Sequence, residues 1–387
     1  MKSFDASVRY ALIIFLATRI LLSMWAILIL ALRPLPAEPD ETLRPYLGQN
    51  ELRNGASGLL LGPWQRFDTM RYLSIANSGY EGVENSVFPP LYPMTIRTIG
   101  WIFERIMPVS SGNLLAAIII SNLAFLGSLI LLYRITAQER DDSTAKRSVA
   151  YLAIFPTAFF LLAAYTESLF LLLALVAIWA ARKDRFWPAG VAGLLASLTR
   201  LTGWVLVVPL GYEYARQKTF NWRLIRLDVI AITLPLLGAL GFLVYRLLVG
   251  LPNIDLIYRT YWYQTTGIPG LDLITALRQM MAGGAAFRLF FDFFCAILLI
   301  VTTVVAFRRL GVTFGLYSTM LLLFMLLPVS ELKPLYSFSR YTLVFYPTFI
   351  LMAIAGRNPW ANRLIAYPSI ALYLYFSGQF FMWGWVA

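Results

Sequence analysis

Residues 187–214 read WPAGVAGLLASLTRLTGWVLVVPLGYEY. The stretch is apolar apart from an interruption at Thr199, Arg200, Thr202 and Gly203. It is too long for one bilayer-crossing helix, which needs about 20 residues, and short for two. Two short helices meeting at Arg200 are therefore expected. That choice sets the sidedness of the whole chain, because Lys and Arg collect in cytoplasmic loops. The basic groups Lys2/Arg9, Arg134/Arg140/Lys146/Arg147, Arg182/Lys183/Arg185, Arg216/Lys218/Arg223/Arg226, Arg308/Arg309 and Arg357/Arg363 share one side only if 187–214 crosses twice. Seventeen of the 32 basic residues are then cytoplasmic.

Outward from this stretch, further spans are expected at about 10–32, 113–134, 148–164, 166–181, 228–249, 286–307, 312–329, 341–356 and 363–385. The fold class is thus an all-α polytopic membrane protein of about eleven transmembrane helices, N-terminus inside and C-terminus outside. It is read as one integral membrane domain over 1–387. Composition agrees: 59% of the 387 residues are hydrophobic and 13% charged, against ~45–50% and ~25% in soluble domains. With no histidine, Ser-His-Asp and Cys-His hydrolases and histidine-ligated metal sites are excluded. The single cysteine, Cys295, cannot form an intrachain disulfide. The net charge of +12 is dispersed in short clusters between apolar runs, which fits cytoplasmic anchoring and not a nucleic-acid surface. Tyr10 to Leu32 is long enough to span and no small-residue cleavage pattern follows, so no signal peptide is expected.

Two long segments fall on the extracytoplasmic side, 33–112 and 250–285. In the first, Met70–Ser78 reads as a short amphipathic helix lying on the membrane surface, and Pro34–Gly62 as a mobile loop. In the second, Tyr258, Tyr261, Trp262 and Tyr263 suit the lipid interface or a sugar ring. Phe88-Pro89-Pro90-Leu91-Tyr92-Pro93 fixes a rigid bend.

Asp68 stands at the start of the surface helix. It either caps that helix through backbone N–H groups or takes a proton from a sugar hydroxyl as a general base. Arg200 lies deep in an apolar stretch, where an ionisable residue marks a site by default unless it snorkels to the interface. Arg340, in Tyr336-Ser337-Phe338-Ser339-Arg340-Tyr341, is a cation on the side where cations are scarce. The two guanidinium groups are candidates to face one cavity, and their planar donors suit a phosphate or carboxylate. Glu167, at a tight turn after Tyr165 and Thr166, is either an exposed cap or a partner for Arg200. Glu81 and Glu84 read most simply as solvated charges.

These residues form a series that resembles a known family. Arg66-Phe67-Asp68-x3-Tyr72-Leu73-x-Ile75-Ala76-x2-Gly79-Tyr80 and Val87-Phe88-Pro89-x-Leu91-Tyr92-Pro93 are similar to the signature of the PIG-V-like, GPI mannosyltransferase II-related glycosyltransferases. Phe155-Pro156, Tyr165-Thr166-Glu167-Ser168-Leu169-Phe170, Thr199-Arg200-x2-Gly203 and Arg340-Tyr341-x5-Pro347 follow in the family's order. The resemblance covers roughly 10–350. Phe67 replaces the usual tryptophan, Pro89-Pro90 part of an aromatic-Pro pattern, and Thr202 a common asparagine.

The resemblance implies a GT-C-type bundle and an inverting sugar transfer, with mannose as the expected sugar, from a polyprenyl-phosphate donor to a lipid-linked or glycan acceptor on the extracytoplasmic face. It implies Asp68 as the catalytic aspartate, expected to act as base, and Arg200 and Arg340 are expected, from their planar donors, to bind the donor phosphate. Glu167, Tyr165, Glu84 and Tyr72 are implied in substrate binding, with no cofactor and no metal. The expected partners are the donor, the acceptor, membrane lipids and an optional accessory membrane subunit, with no nucleic acid. A bacterial inner membrane with a periplasmic site is expected, or the endoplasmic reticulum in a eukaryote. The rival reading is a transporter or flippase for a lipid-linked sugar.

Overall fold

The computed structural model describes residues 5–36, 40–103 and 105–386. Lys2, counted above among the cytoplasmic cations, and Ala37–Pro39 of the expected loop lie outside the described residues. The helices are α1 (Ala6–Leu32), α2 (Gly55–Leu60), α3 (Asp68–Ser78), α4 (Leu91–Phe103), α5 (Val109–Glu139), α6 (Asp142–Ala153), α7 (Glu167–Ala181), α8 (Phe186–Thr199) and α9 (Val207–Gln217). They continue with α10 (Leu234–Leu248), α11 (Ile254–Ile257), α12 (Leu271–Ala282), α13 (Phe287–Arg309), α14 (Val312–Met325), α15 (Phe338–Tyr341), α16 (Tyr346–Ala355) and α17 (Pro359–Phe381). Two-residue strands β1 (Thr265–Thr266) and β2 (Pro328–Val329) pair antiparallel.

Among the described residues four helices are long and apolar enough to cross a membrane: Ala6–Leu32, Ser111–Glu139, Leu227–Leu248 and Phe287–Arg309. A fifth arises if Phe338–Val344 and Tyr346–Ala355, bent by 84°, form one broken span. Shorter apolar helices occupy Glu167–Ala181, Phe186–Thr199 and Val312–Met325. The chain is a multi-pass helical membrane protein. Residues 148–164, expected as one span, are not one helix. Helix α6 stops at Ala153 and a 3-10 turn, Ala158–Leu161, follows beyond Pro156. Phe155 to Ser168 are all buried, so this run is apolar because protein covers it.

By its contacts the chain divides into two compact units, one of residues 1–81, 90–172 and 352–386, the other of 82–89 and 173–351. In the first, α1 packs along α5 and α17, and the Trp25 indole donates to the Leu374 carbonyl at 2.9 Å. Helix α3 starts at Asp68, two residues before the expected surface helix. Its apolar residues Met70, Tyr72, Leu73, Ile75 and Ala76 are buried, and it packs against α4 and α5. The face assigned to lipid is therefore covered by protein. The described part of Pro34–Gly62 is tied down and contains α2. The Gln65 side chain accepts from the Leu52 N–H at 2.8 Å and donates to the Asn50 carbonyl at 3.0 Å, while Arg44 and Tyr46 are buried.

In the second unit α8 approaches α10 and the 3-10 segment Leu227–Thr233 before it closely through small residues, the usual means of bringing helices together in a membrane. A Cβ at Gly190 would lie 2.1 Å from the Ala231 carbonyl oxygen, and one at Gly238 2.8 Å from that of Leu194. Gly193 faces Pro235, whose carbonyl also accepts the Ser197 hydroxyl at 2.7 Å. At Gly190 and Gly238 these neighbours are backbone atoms, so no side chain can swing aside. Gly190→Val is expected to destabilise the protein by about 1–3 kcal/mol or more through overpacking, checked as a lowered midpoint in thermal unfolding of the detergent-solubilised chain. An unchanged midpoint would refute the close approach.

Candidate active site

The first unit builds its site around a strained turn. Phe67 precedes α3 with φ 49 and ψ −119, and the Thr69 N–H donates to the Arg66 carbonyl at 3.1 Å. This is the pattern of a II′ turn, whose first central position glycine normally fills. A phenylalanine there costs about 1–3 kcal/mol and persists only when its surroundings enforce it. The enforcement is visible. Buried Arg66 donates through Nε to the Phe381 carbonyl at 3.0 Å and through Nη1 to the carbonyls of Gly62 and Gln65 at 3.0 and 2.9 Å. Its guanidinium also lies 5.0 Å from the Trp383 ring. Burial lowers the Arg66 pKa to about 10, which leaves it charged at neutral pH. The Phe67 ring packs against Phe380, Trp383 and Trp385 at 5.9, 5.3 and 5.1 Å.

Tyr165 closes the turn from the other side. Its hydroxyl accepts the Asp68 N–H at 3.2 Å and donates to the Arg66 carbonyl at 3.5 Å. The Ser121 hydroxyl in turn donates to the Tyr165 carbonyl at 2.9 Å. Tyr72 meets the Thr166 hydroxyl at 3.3 Å and stands edge-on to Tyr92 at 5.0 Å. So Asp68, Tyr72 and Tyr165 are brought together. Asp68 occupies the first position of α3, with Phe67 as the residue before the helix, and it is half-buried. A carboxylate there is favoured by the unsatisfied N–H groups of the first turn. Glu167 opens α7 and is 1% exposed, so the exposed-cap reading is corrected. Glu167 belongs to the run 155–168, every residue of which is buried.

The second unit holds Arg200, Arg340 and Glu84. Arg200 sits in extended backbone, φ −146 and ψ 134, between α8 and the 3-10 turn Leu201–Leu206. The expected meeting of two short helices at Arg200 is what is found. Gly203 makes the turn possible. Its N–H donates to the Arg200 carbonyl at 2.8 Å, and a Cβ at this position would lie 2.3 Å from the Ser197 nitrogen. Arg340 is buried in α15, just before the bend into α16. The two arginines converge on one ring: their guanidinium carbons lie 5.1 and 5.3 Å from the centre of Tyr341. Glu84 is the second residue of a 3-10 turn, Val83–Val87, and is half-buried. Buried Arg246 pins that turn by donating to the Ser86 carbonyl and, at 2.6 Å, to the Pro252 carbonyl.

Two buried aspartates that sequence reading passed over set the segment leading to Arg340. Asp272 accepts the N–H groups of Ser330 and Leu335 at 2.9 and 2.7 Å. Burial raises its pKa and these bonds oppose the rise. Asp292, in α13, accepts the Ser339 N–H at 2.8 Å. Asp292 carried a signal, being an acid within an apolar span. Asp272 carried none, because its role arises from loop contacts nearly sixty residues away.

The family model described as Mannosyltransferase (PIG-V) matches residues 7–266. GPI mannosyltransferase 2 of Drosophila melanogaster is 28% identical over 212 residues, covering 50% of this chain and 46% of that protein, so the chain spans about half the length of this relative. Among solved structures, ArnT from Cupriavidus metallidurans bound to undecaprenyl phosphate gives a TM-score of 0.47 at 14% identity, over 96% of this chain and 76% of that one. The Archaeoglobus fulgidus oligosaccharyltransferase AglB, in complex with an inhibitory peptide and a dolichol-phosphate, gives 0.44 at 10% identity, over 94% and 56%. With the family model matching about two thirds of its length, the chain belongs to the PIG-V mannosyltransferase family.

Proposed function

We propose that this protein is an inverting glycosyltransferase that moves mannose from a polyprenyl-phosphate donor to a lipid-linked or glycan acceptor on the extracytoplasmic face of a membrane, in bacteria the inner membrane. The observation that carries this reading is the placement of Asp68, a half-buried residue at the first turn of α3 whose backbone N–H is held by the Tyr165 hydroxyl, in a turn that Arg66 braces. A backbone held in place sets where a general base can reach. In this mechanism Asp68 takes the proton of the acceptor hydroxyl as its oxygen attacks the anomeric carbon, and the bond to the donor phosphate breaks on the opposite face. Arg200 and Arg340 bind that phosphate and offset the charge it gains on leaving. The phosphate departs without needing a proton, so a single carboxylate suffices. Tyr165 acts by positioning Asp68, whereas Tyr72, Glu84 and Glu167 border the bound substrates. A site on this face has no access to nucleotide sugars, and a lipid-linked donor supplies what is missing.

The test is transfer by the purified full-length chain from radiolabelled polyprenyl-phosphate mannose to a panel of acceptors. Asp68→Asn is expected to lower kcat by about 10²–10⁴, with the donor KM little changed. Wild-type turnover by this variant would remove Asp68 from the role of base. Arg340→Gln and Arg200→Gln are expected to raise the donor KM about ten- to a hundredfold, the worth of charge-assisted hydrogen bonds; an unaltered KM in both would dismiss them as phosphate ligands. Tyr165→Phe removes one neutral hydroxyl bridge and is expected to lower kcat about two- to tenfold at constant donor KM. A change confined to KM would instead make Tyr165 a substrate contact.

A further inference from the structure

Arg19 stands at the midpoint of α1, thirteen residues from either end of a helix that crosses the membrane. At about 1.5 Å per residue it is as far from both helix ends as a side chain can be. An ionised group there needs opposite charge or well-placed dipoles around it, and among the described residues its neighbours are neutral. Its Nη1 reaches the Leu162 carbonyl at 3.5 Å, itself already accepting from the Asn122 amide at 2.9 Å. Its guanidinium lies 4.6 Å from the ring centre of Trp64. Arg66 and Arg246, by comparison, donate to three and two carbonyls. A second polar group is also unanswered. Tyr373 of α17 is 3% exposed and its hydroxyl has no hydrogen-bond partner among the described residues. It lies within electrostatic reach of Arg19, and its ring packs on Phe159, close in sequence to Leu162.

We infer that Arg19 and Tyr373, backed by the indole face of Trp64, form a binding site for the phosphate group of a membrane lipid. Three features select that chemistry. Arg19 is half-buried, so part of the residue stays accessible. Its planar array of donors fits phosphate oxygens, and the tyrosine hydroxyl adds one more donor. At this position along a spanning helix, a phosphate carried on an apolar tail is delivered from the bilayer itself, and the guanidinium and hydroxyl offset the cost of dehydrating it. Trp64 lies four residues before Asp68, so the site belongs to the unit that carries the carboxylate. It is separate from the phosphate role given to Arg200 and Arg340, and it does not rest on the transferase reading.

The experiment counts lipids retained by the full-length chain in native mass spectrometry. The probes are a polyprenyl monophosphate, the matching polyprenol, phosphatidylglycerol and inorganic phosphate. Wild type is compared with Arg19→Gln, Arg19→Lys and Tyr373→Phe, each first checked for an unchanged thermal midpoint. Arg19→Gln is expected to hold one phosphate-bearing lipid fewer than wild type, Arg19→Lys, which keeps the charge without the planar donors, to restore it in part, and Tyr373→Phe to weaken it about fivefold, the effect of one hydrogen bond to a charged group. Whichever lipid shows this loss names the source of the phosphate. Should Arg19→Gln fail to fold, the nearly isosteric Tyr373→Phe decides. Equal retention by wild type and variants overturns the site, as does Arg19-dependent retention of the polyprenol, and binding of inorganic phosphate alone overturns the lipid assignment. Arg200→Gln with Arg340→Gln should leave the Arg19-dependent lipid in place, so a failed transfer assay and a failed lipid count remain distinct.

Discussion

A guanidinium inside an apolar bundle is tolerated only when dipoles, aromatic faces or opposite charge surround it. Much of this molecule is organised by that requirement. Arg66 gathers three carbonyls and so draws the chain before α3 into a strained turn. Arg246 gathers two and fastens the 82–89 segment within the second unit. In these cases the cation holds the fold together, because the backbone supplies what it needs. Arg19 is placed differently, 3.5 Å from a carbonyl that already accepts another hydrogen bond, and that difference separates cations that hold the fold from a cation proposed to hold a ligand.

The positions assigned to chemistry also coincide with breaks in regular backbone. Asp68 follows a left-handed Phe67, Arg200 is the extended residue between two helical segments, and Arg340 precedes an 84° bend. Irregular backbone in a membrane protein survives where protein buries it or a cavity adjoins it. Each break here is supported by identifiable groups: Arg66 and Tyr165 at the first, Gly203 at the second, Asp272 and Asp292 near the third.

The helical membrane class and the long spans at α1, α5 and α13 were legible in the sequence, because few soluble folds can bury a run of twenty or more apolar residues on every side. The break at Arg200 was legible too, since a charge and a glycine interrupt an otherwise uniform stretch. Residues 148–164 misled because hydropathy registers apolar character and not what covers it; protein interior and lipid look alike at that level. The same confusion assigned the buried face of α3 to the membrane surface. Tyr165 stood out only through the family resemblance. Its bridge to Asp68 joins residues 97 apart, a separation that local pattern does not encode.

Gly203 has a consequence for how such a protein can change. The turn beside Arg200 has no room for even one added carbon at this position, whereas the neighbouring Thr202 hydroxyl is buried without a hydrogen-bond partner among the described residues. Change beside Arg200 is therefore channelled: position 203 is frozen by geometry, and position 202, whose polar atom the fold leaves unused, is the one open to a different side chain.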